Sequence, residues 1–542
     1  MKYALLGLTA ILLAGWFSPE ISDTDFWWHL RTGQYLVETH SLPVPDPFAF
    51  TTALSPPSYA EEELTRHFNL THEWLSEVMF YAVYRVGGFA GIVVFRSLVL
   101  AAFCVIVGWI AYRRTGGLYR SVAAALASTG VAGSFALDRP FIITFLFLAI
   151  TIDILEEGRW IWALPPLMLV WANCHGGYFL GLVAMGAYVL GDVRRVQFWA
   201  VAVVSAIVSG LNPNGYRLAQ ILLAYRKSYE TSRLLEWARP TLWPPQWWSV
   251  LLIVATVVLV WARRRVKLSD WLLFAAFTAA ALTAQRNVIL VGLVAPIVIV
   301  TYMPVRKWAV PEWAPAAAIA LALGVGIARG NFFELGANNW KWPSGAADFL
   351  LSHRITAPMF NTYEHGGYLI WRLWPQERVF IDGRSLSESN FLTYARILYN
   401  HDESDGKSAQ QLLDQYGIQV IVMNTFEYST GAVYMLAPAL ADPAQKEWKL
   451  VYAGPEAVVF MRQPLEGVTP LSSLQVFDHM EAECKLHIER EPQSPRCARS
   501  LGQVFLRVGD VVRARRWLAN YLRLPHESDP EAEQAFQQLI GR

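Results

Sequence analysis

The chain has 542 residues, 54% of them hydrophobic and only 16% charged, with 23 tryptophans and a mean hydropathy of +0.29. That composition excludes an ordinary soluble domain and points to a polytopic α-helical membrane protein. A formal net charge of +1 and a pI near 7.7 leave no field to gather nucleic acid, and no polybasic arm is present.

Apolar runs of membrane length, about 16 to 22 residues each, fall near 3–18, 90–111, 119–136, 141–155, 159–174, 177–191, 196–211, 247–262, 268–284, 287–303 and 312–328. They predict about eleven spans. The first reads as a retained span: its basic region is one lysine, and no small-x-small cleavage site precedes the aspartates that follow. Lys2, Arg113 with Arg114 and Arg120, Arg159, Arg194 with Arg195, the run 263–267, and Arg306 with Lys307 fall on alternate loops. The positive-inside rule then puts the amino terminus in the cytoplasm and everything after about residue 330 outside, in the periplasm of a bacterial-type inner membrane.

Residues 1–330 thus form a transmembrane domain with a first periplasmic loop, 19–89, and a second, 211–246. Residues 331–465 predict a periplasmic α/β domain, in which β-rich runs (GYLIWRL, RVFID, IQVIVM, AVVFMR) alternate with helical ones (AADFLLSHR, SAQQLLDQYG). Residues 466–542 are a short helical tail. In it Leu501, Gly502, Phe505, Ala514 and Leu518 match the spacing of one tetratricopeptide repeat, or equally a plain helical hairpin packed on the α/β domain. Cys104 and Cys174 lie in apolar segments, whereas Cys484 and Cys497 could pair if the tail faces an oxidising compartment.

Polar residues at the outer span ends are chemically capable: Asp23, Asp25 and His29; His72, Glu73 and Glu77; Asp138 and Arg139; Asn173 and His175; Asn212 and Asn214; Gln285, Arg286 and Asn287. Ionisable groups at membrane depth are costly and face a cavity or a partner, so the outer face is the candidate site. In ISDTDFWWHLRTGQY, a helix sets Asp25 and His29 on one side. The competing reading is an interfacial helix capped by Asp23, with Trp27 and Trp28 in an aromatic belt. THEWLSEV repeats the acid, histidine and tryptophan theme, as a second wall of one pocket or as an amphipathic helix capped by Thr71. Arg139 in LDRP and Arg286 in AQRN stand against the positive-inside bias and suit an anionic lipid head group, unless Asp138 simply pairs with an arginine. His175, before Gly176 and Gly177, is a proton carrier, a metal ligand, or neither. No cofactor is required by these residues; a divalent metal ion is conceivable from Asp23, Asp25 and His29, with His72 and His175, but no CxxC or HExxH spacing supports it.

A single span, a long outer loop opening on DTD, a many-helix body and an outward C-terminal domain resemble the GT-C superfamily of polyprenol-dependent glycosyltransferases, which includes protein O-mannosyltransferases and oligosaccharyltransferases. The blocks DTDFWWHLRTGQYL, PVPDPFAFT, HEWLSEV, WANCHGGYFLG, LNPNGY and NTYEHGGYLIWRLWPQERVFIDGR are similar to a family of bacterial membrane proteins grouped with those enzymes. The resemblance implies a GT-C-like fold and a catalytic aspartate in the first loop, Asp25 before Asp23. It also implies a polyprenyl-linked sugar donor and a periplasmic protein or glycan acceptor. No WWDYG-type motif occurs, and Asp-Thr-Asp stands where O-mannosyltransferases carry Asp-Glu. On this reading Asp25 is the general base of an inverting transfer and His29 or His72 tunes it. Arg139 or Arg286 meets the leaving phosphate, with Glu73, Asp138, His175, Trp27 and Trp28 lining the substrate groove. Glu364, His365, Asp382 and Arg384 either contact the acceptor or serve as turn residues and a buried ion pair. A protein partner could dock on the helical tail. The alternatives are a non-catalytic scaffold, or a flippase-type transporter of lipid-linked sugars, for which no convincing inverted repeat is found.

Overall fold

The computed structural model describes residues 2–304, 311–400, 406–491 and 495–540. The predicted cytoplasmic pair Arg306 and Lys307 lies outside them. Two compact units emerge, one of residues 1–44 with 59–337 and the other of 45–58 with 338–542.

The first unit is all helical: α1 (Lys2–Trp16), α2 (Phe26–Thr39), α3 (Glu62–Thr71), α4 (Trp74–Thr115), α5 (Leu118–Ala132), α6 (Phe141–Glu157), α7 (Leu164–Cys174), α8 (Phe179–Gly191), α9 (Val196–Val208), α10 (Leu218–Tyr225), α11 (Tyr229–Arg233), α12 (Trp247–Ala262), α13 (Leu268–Ala281), α14 (Ile289–Tyr302) and α15 (Ala314–Ala328). Every apolar run of the sequence coincides with a helix. By length and composition two helical stretches, Glu62–Thr115 and Gln285–Tyr302, are sufficient to cross a membrane; other apolar helices are 10–17 residues long. Helix α4 starts well before its apolar run, because THEWLSEV supplies its first turns rather than a separate helix capped by Thr71. It is broken only at Gly88, whose φ of +58° a side chain would disfavour. Inside its apolar stretch, Arg96 is 1% exposed. Its Nη1 donates to Asp138 at 2.6 Å and its Nε to the Phe17 carbonyl at 3.1 Å, tying α4 to the end of α1 and to the loop before α6. At the other end of α4, Arg114 pairs with Glu156 at 2.8 Å and Asp270 at 2.9 Å, so the arginines there are not bare.

The second unit carries a four-stranded sheet, β1 (Met359–Asn361), β2 (Val420–Met423), β3 (Lys449–Ala453) and β4 (Val458–Met461), in the order β1-β2-β4-β3. The β1–β2 pair is parallel and the others antiparallel. Its helices are α16 (Ser344–Ser352), α17 (Tyr363–Leu373), α18 (Glu388–Tyr399), α19 (Ala409–Gln415), α20 (Leu436–Ala441), α21 (Gln475–Arg490), α22 (Arg496–Arg507), α23 (Val511–Arg523) and α24 (Pro530–Ile540). Two β-rich expectations change. GYLIWRL is helical, part of α17, which buries His365, Leu369 and Leu373 at four-residue spacing. A period-2 reading of seven residues cannot separate these patterns. RVFID contributes only an isolated bridge, Val379 with Ala49. That bridge belongs to residues 45–58, which the sequence assigns to the first loop of the membrane domain. They pack in this second unit, where Arg384 holds Asp46 at 2.8 Å and Asp382 at 2.7 Å with all three nearly inaccessible. Cys484 and Cys497 form a disulfide between α21 and α22, and one apolar cluster runs from the sheet into α22–α24 without a break. Glu364 accepts from Tyr434 at 2.6 Å, and His365 Nε2 lies 3.2 Å from the Tyr428 hydroxyl. These four polar residues are thus engaged within their own unit.

Candidate functional site

Asp23, Asp25, Arg139 and Arg286 gather around a cationic centre, and His29, His72, Glu73, Glu77 and His175 around a carboxylate. Asp25 is the N-cap of α2 without a side-chain cap bond, which leaves its carboxylate to turn elsewhere. Arg139, from the turn before α6, donates through Nη2 to Asp23 at 2.8 Å and also through Nε. Its Nη1 lies 2.8 Å from Asp25 Oδ2. One guanidinium cannot neutralise two buried carboxylates equally. Asp23 takes the bidentate share, and Arg139 holds it below the usual carboxylate range although burial opposes this. Burial, with Asp23 as a like charge alongside, pushes Asp25 up to about 7. Arg139 also approaches Glu236 Oε2 at 3.7 Å, while Glu236 Oε1 accepts from Arg286 Nη1 at 3.3 Å. The Arg286 guanidinium lies 4.8 Å above the Trp237 ring, and Gln285 N donates to the Ala238 carbonyl at 2.8 Å. The loop 211–246 is thereby fastened beside both arginines.

The second centre is Glu73, ahead of the first turn of α4. His72 Nε2 lies 3.2 Å and His175 Nε2 3.5 Å from Glu73 Oε1, while His29 Nδ1 lies 3.7 Å from Glu73 Oε2 and 3.3 Å from Glu77 Oε1. Close packing brings these groups together. Gly33 lets α2 lie on α4, since a Cβ there would sit 2.1 Å from the Glu77 carbonyl oxygen. Trp74 Nε1 donates to Asn173 Oδ1 at 2.8 Å and Ser76 Oγ to the Cys174 carbonyl at 2.7 Å, pinning the start of α4 to the end of α7. Gly176 admits Phe68, whose ring stacks on His72 with centroids 4.0 Å apart.

Hydrogen-bond partners assign the tautomers. His72 Nδ1 donates to the Phe68 carbonyl at 2.8 Å, and its Nε2 faces Glu73 Oε1 at 3.2 Å. His175 Nδ1 accepts from Gly177 N at 2.9 Å and, from the other side, from Thr144 Oγ1 at 2.9 Å. Thr144 in turn accepts from Trp171 Nε1. His175 therefore bears its proton on Nε2 and donates toward Glu73. Burial lowers His29 to about 4 and His175 to about 3, so both rings are neutral near pH 7. Among the described residues, two triads keep their ligand atoms within 4.8 Å of one another: His72, Glu73 and His175, and His29, Glu73 and Glu77. Either triad presents donors that suit a divalent cation, and Glu73 is common to both.

Other sequence-predicted residues lie differently. Asp23 and Asp25 are drawn to Arg139 rather than sharing a ligand set with His29. Asp138 is fully buried on Arg96. Trp27 packs against Phe26 and Phe89, and Trp28 against His29, both inside the unit rather than on an exposed belt. Sequence reasoning passed over Glu236, whose one signal is its position as an acid between Arg233 and Arg239 in a strongly cationic loop.

No family model and no curated protein sequence matches the chain. Solved structures do. The oligosaccharyltransferase of Archaeoglobus fulgidus tethered by a disulfide to an acceptor peptide with the NVT sequon superposes with a TM-score of 0.53 at 10% identity, over 88% of this chain and 76% of that one. The chain shares the fold of this oligosaccharyltransferase. The apo form of the archaeal oligosaccharyltransferase gives 0.51 at 11% identity over 90% and 78% of the two chains. The oligosaccharyltransferase AglB of the same organism, with an inhibitory peptide and a dolichol-phosphate, gives 0.50 at 10% identity over 88% and 77%.

Proposed function

We propose that the chain is a multi-pass membrane glycosyltransferase that moves a sugar from a polyprenyl phosphate or diphosphate to a protein or glycan acceptor on the periplasmic side. The carrying observation is the Asp23–Arg139–Asp25 cluster beside Glu236 and Arg286, in which one carboxylate is spoken for and the other is raised toward neutrality. The GT-C fold supports this reading, as do the acceptor peptide and the dolichol-phosphate bound in the archaeal structures.

The reaction is a single displacement. The acceptor oxygen or nitrogen attacks the anomeric carbon, the bond from that carbon to the phosphate oxygen breaks, and the phosphate leaves with the electron pair. Asp25 takes the acceptor proton; a carboxylate with a pKa near the working pH balances proton affinity against availability. Arg286 and Arg139 meet the charge growing on the phosphate. Attack opposite the leaving group inverts the anomeric centre. His72, Glu73 and His175, or His29, Glu73 and Glu77, would hold a divalent cation, which would supply further positive charge for the phosphate. Asp23 serves Arg139 rather than the acceptor, so Asp23 positions and Asp25 reacts.

The test is mass spectrometry of periplasmic proteins and surface glycans from cells with the wild-type chain, with Asp25→Asn, and without the chain. A glycan present only with the wild type, while the variant accumulates normally in the membrane, is the expected result. An unchanged glycan profile in Asp25→Asn cells makes the chain a scaffold instead.

A further inference from the structure

The loop 211–246 puts a carboxylate where an arriving phosphate would need to go. Glu236 offers one oxygen to each arginine, Oε1 to Arg286 at 3.3 Å and Oε2 to Arg139 at 3.7 Å, as a bridging oxyanion would. Both contacts are longer than the 2.7–2.9 Å of a well-formed charge-assisted bond. The Glu236 side chain is 39% exposed, and ion pairs open to solvent hold weakly. The two guanidiniums are anchored without it, Arg139 by Asp23 on two nitrogens and Arg286 over the Trp237 ring. Removing Glu236 would therefore leave two oriented cations with an anion missing between them. Asp25 meets the same Nη1 of Arg139 at 2.8 Å, and Glu236 is the carboxylate that reaches across to Arg286 as well.

We infer that Glu236 is an internal placeholder for the donor phosphate, a positioning residue that bridges Arg139 and Arg286 in the resting state and is displaced when a prenyl phosphate binds. This rests on the proposed lipid-phosphate donor. Its consequence is a built-in competition: the carboxylate bridges two partly exposed guanidiniums in the resting state, and it raises the phosphate concentration needed for occupancy. Displacing it also frees the 3-10 turn Leu235–Trp237 from its electrostatic tie to the site.

The experiment measures binding of farnesyl phosphate, with farnesol as the uncharged control, to the full chain in phosphatidylcholine nanodiscs. Wild type is compared with Glu236→Gln, Glu236→Ala and Arg286→Gln, each checked for an unchanged thermal unfolding profile. The expected result is about tenfold tighter farnesyl phosphate binding in both Glu236 variants, corresponding to ~1.4 kcal/mol, weaker binding in Arg286→Gln, and no change for farnesol. If Arg286→Gln weakens binding while the Glu236 variants bind no better than wild type, the placeholder is refuted and the phosphate site stands. If farnesyl phosphate binds no better than farnesol to any of the four, the lipid-phosphate reading itself falls, and the placeholder with it.

Discussion

Gly33→Ala adds a single carbon at the contact that brings α2 onto α4. The new Cβ would lie 2.1 Å from the Glu77 carbonyl oxygen, 2.7 Å from its carbonyl carbon and 2.9 Å from Tyr81 Cβ. An ordinary carbon–oxygen contact needs about 3.3 Å, and the two nearest obstacles are backbone atoms that no rotamer change can move. Helix α2 must therefore withdraw by roughly 1 Å. His29, one turn earlier on the same helix, moves with it, and its 3.3 Å contact with Glu77 opens beyond hydrogen-bond range. Overpacking of this kind costs about 1–3 kcal/mol. Gly7→Ala in α1 is the control, because nothing lies within 4 Å of its Cβ and alanine favours helix by about 0.5–1 kcal/mol. Thermal unfolding of the full chain in detergent micelles, followed by tryptophan fluorescence, should show Gly33→Ala melting below wild type and Gly7→Ala at or above it. Titration with Mn²⁺ should show weaker binding in Gly33→Ala alone. A Gly33→Ala chain that melts with wild type would refute the close-packing argument.

Other expectations concern charge and covalent ties. Asp25 is held near 7 in the folded chain against 3.8 unfolded, so the folded state carries a proton that the unfolded state has released. Its contribution to stability falls as pH rises from about 4 to about 7, and Asp25→Asn should flatten that part of a melting-temperature profile. Arg384→Met leaves Asp46 and Asp382 as uncompensated buried charges, an expected loss of about 3–5 kcal/mol. Adding Asp46→Asn and Asp382→Asn should recover much of it in chemical unfolding. Reduction of the Cys484–Cys497 disulfide, whose cysteines are 13 apart in sequence, should destabilise by about 3 kcal/mol. A reductant should then lower the melting temperature of wild type but not that of a chain carrying Cys484→Ser with Cys497→Ser.

The helices were legible in the sequence because their causes are local. A hydrogen bond four residues back and a run of apolar side chains need no information from elsewhere, so each apolar run became a helix. The buried strands IQVIVM and AVVFMR were readable for a similar reason, as short apolar runs bounded by turn residues. Sequence also narrowed the chemistry to acids, imidazoles and arginines near Asp25, His72, Arg139, His175 and Arg286. Partner choice was decided only in three dimensions. Arg139 had Asp138 as its chain neighbour and took Asp23 and Asp25 instead, while Asp138 went to Arg96, hidden in an apolar stretch. Residues 45–58 joined the second unit, and Glu236 reached both arginines from a loop that carries five basic residues against two acids. Long-range ion pairs form wherever folding leaves two charges desolvated together, and their strength depends on distance and burial rather than on position along the chain.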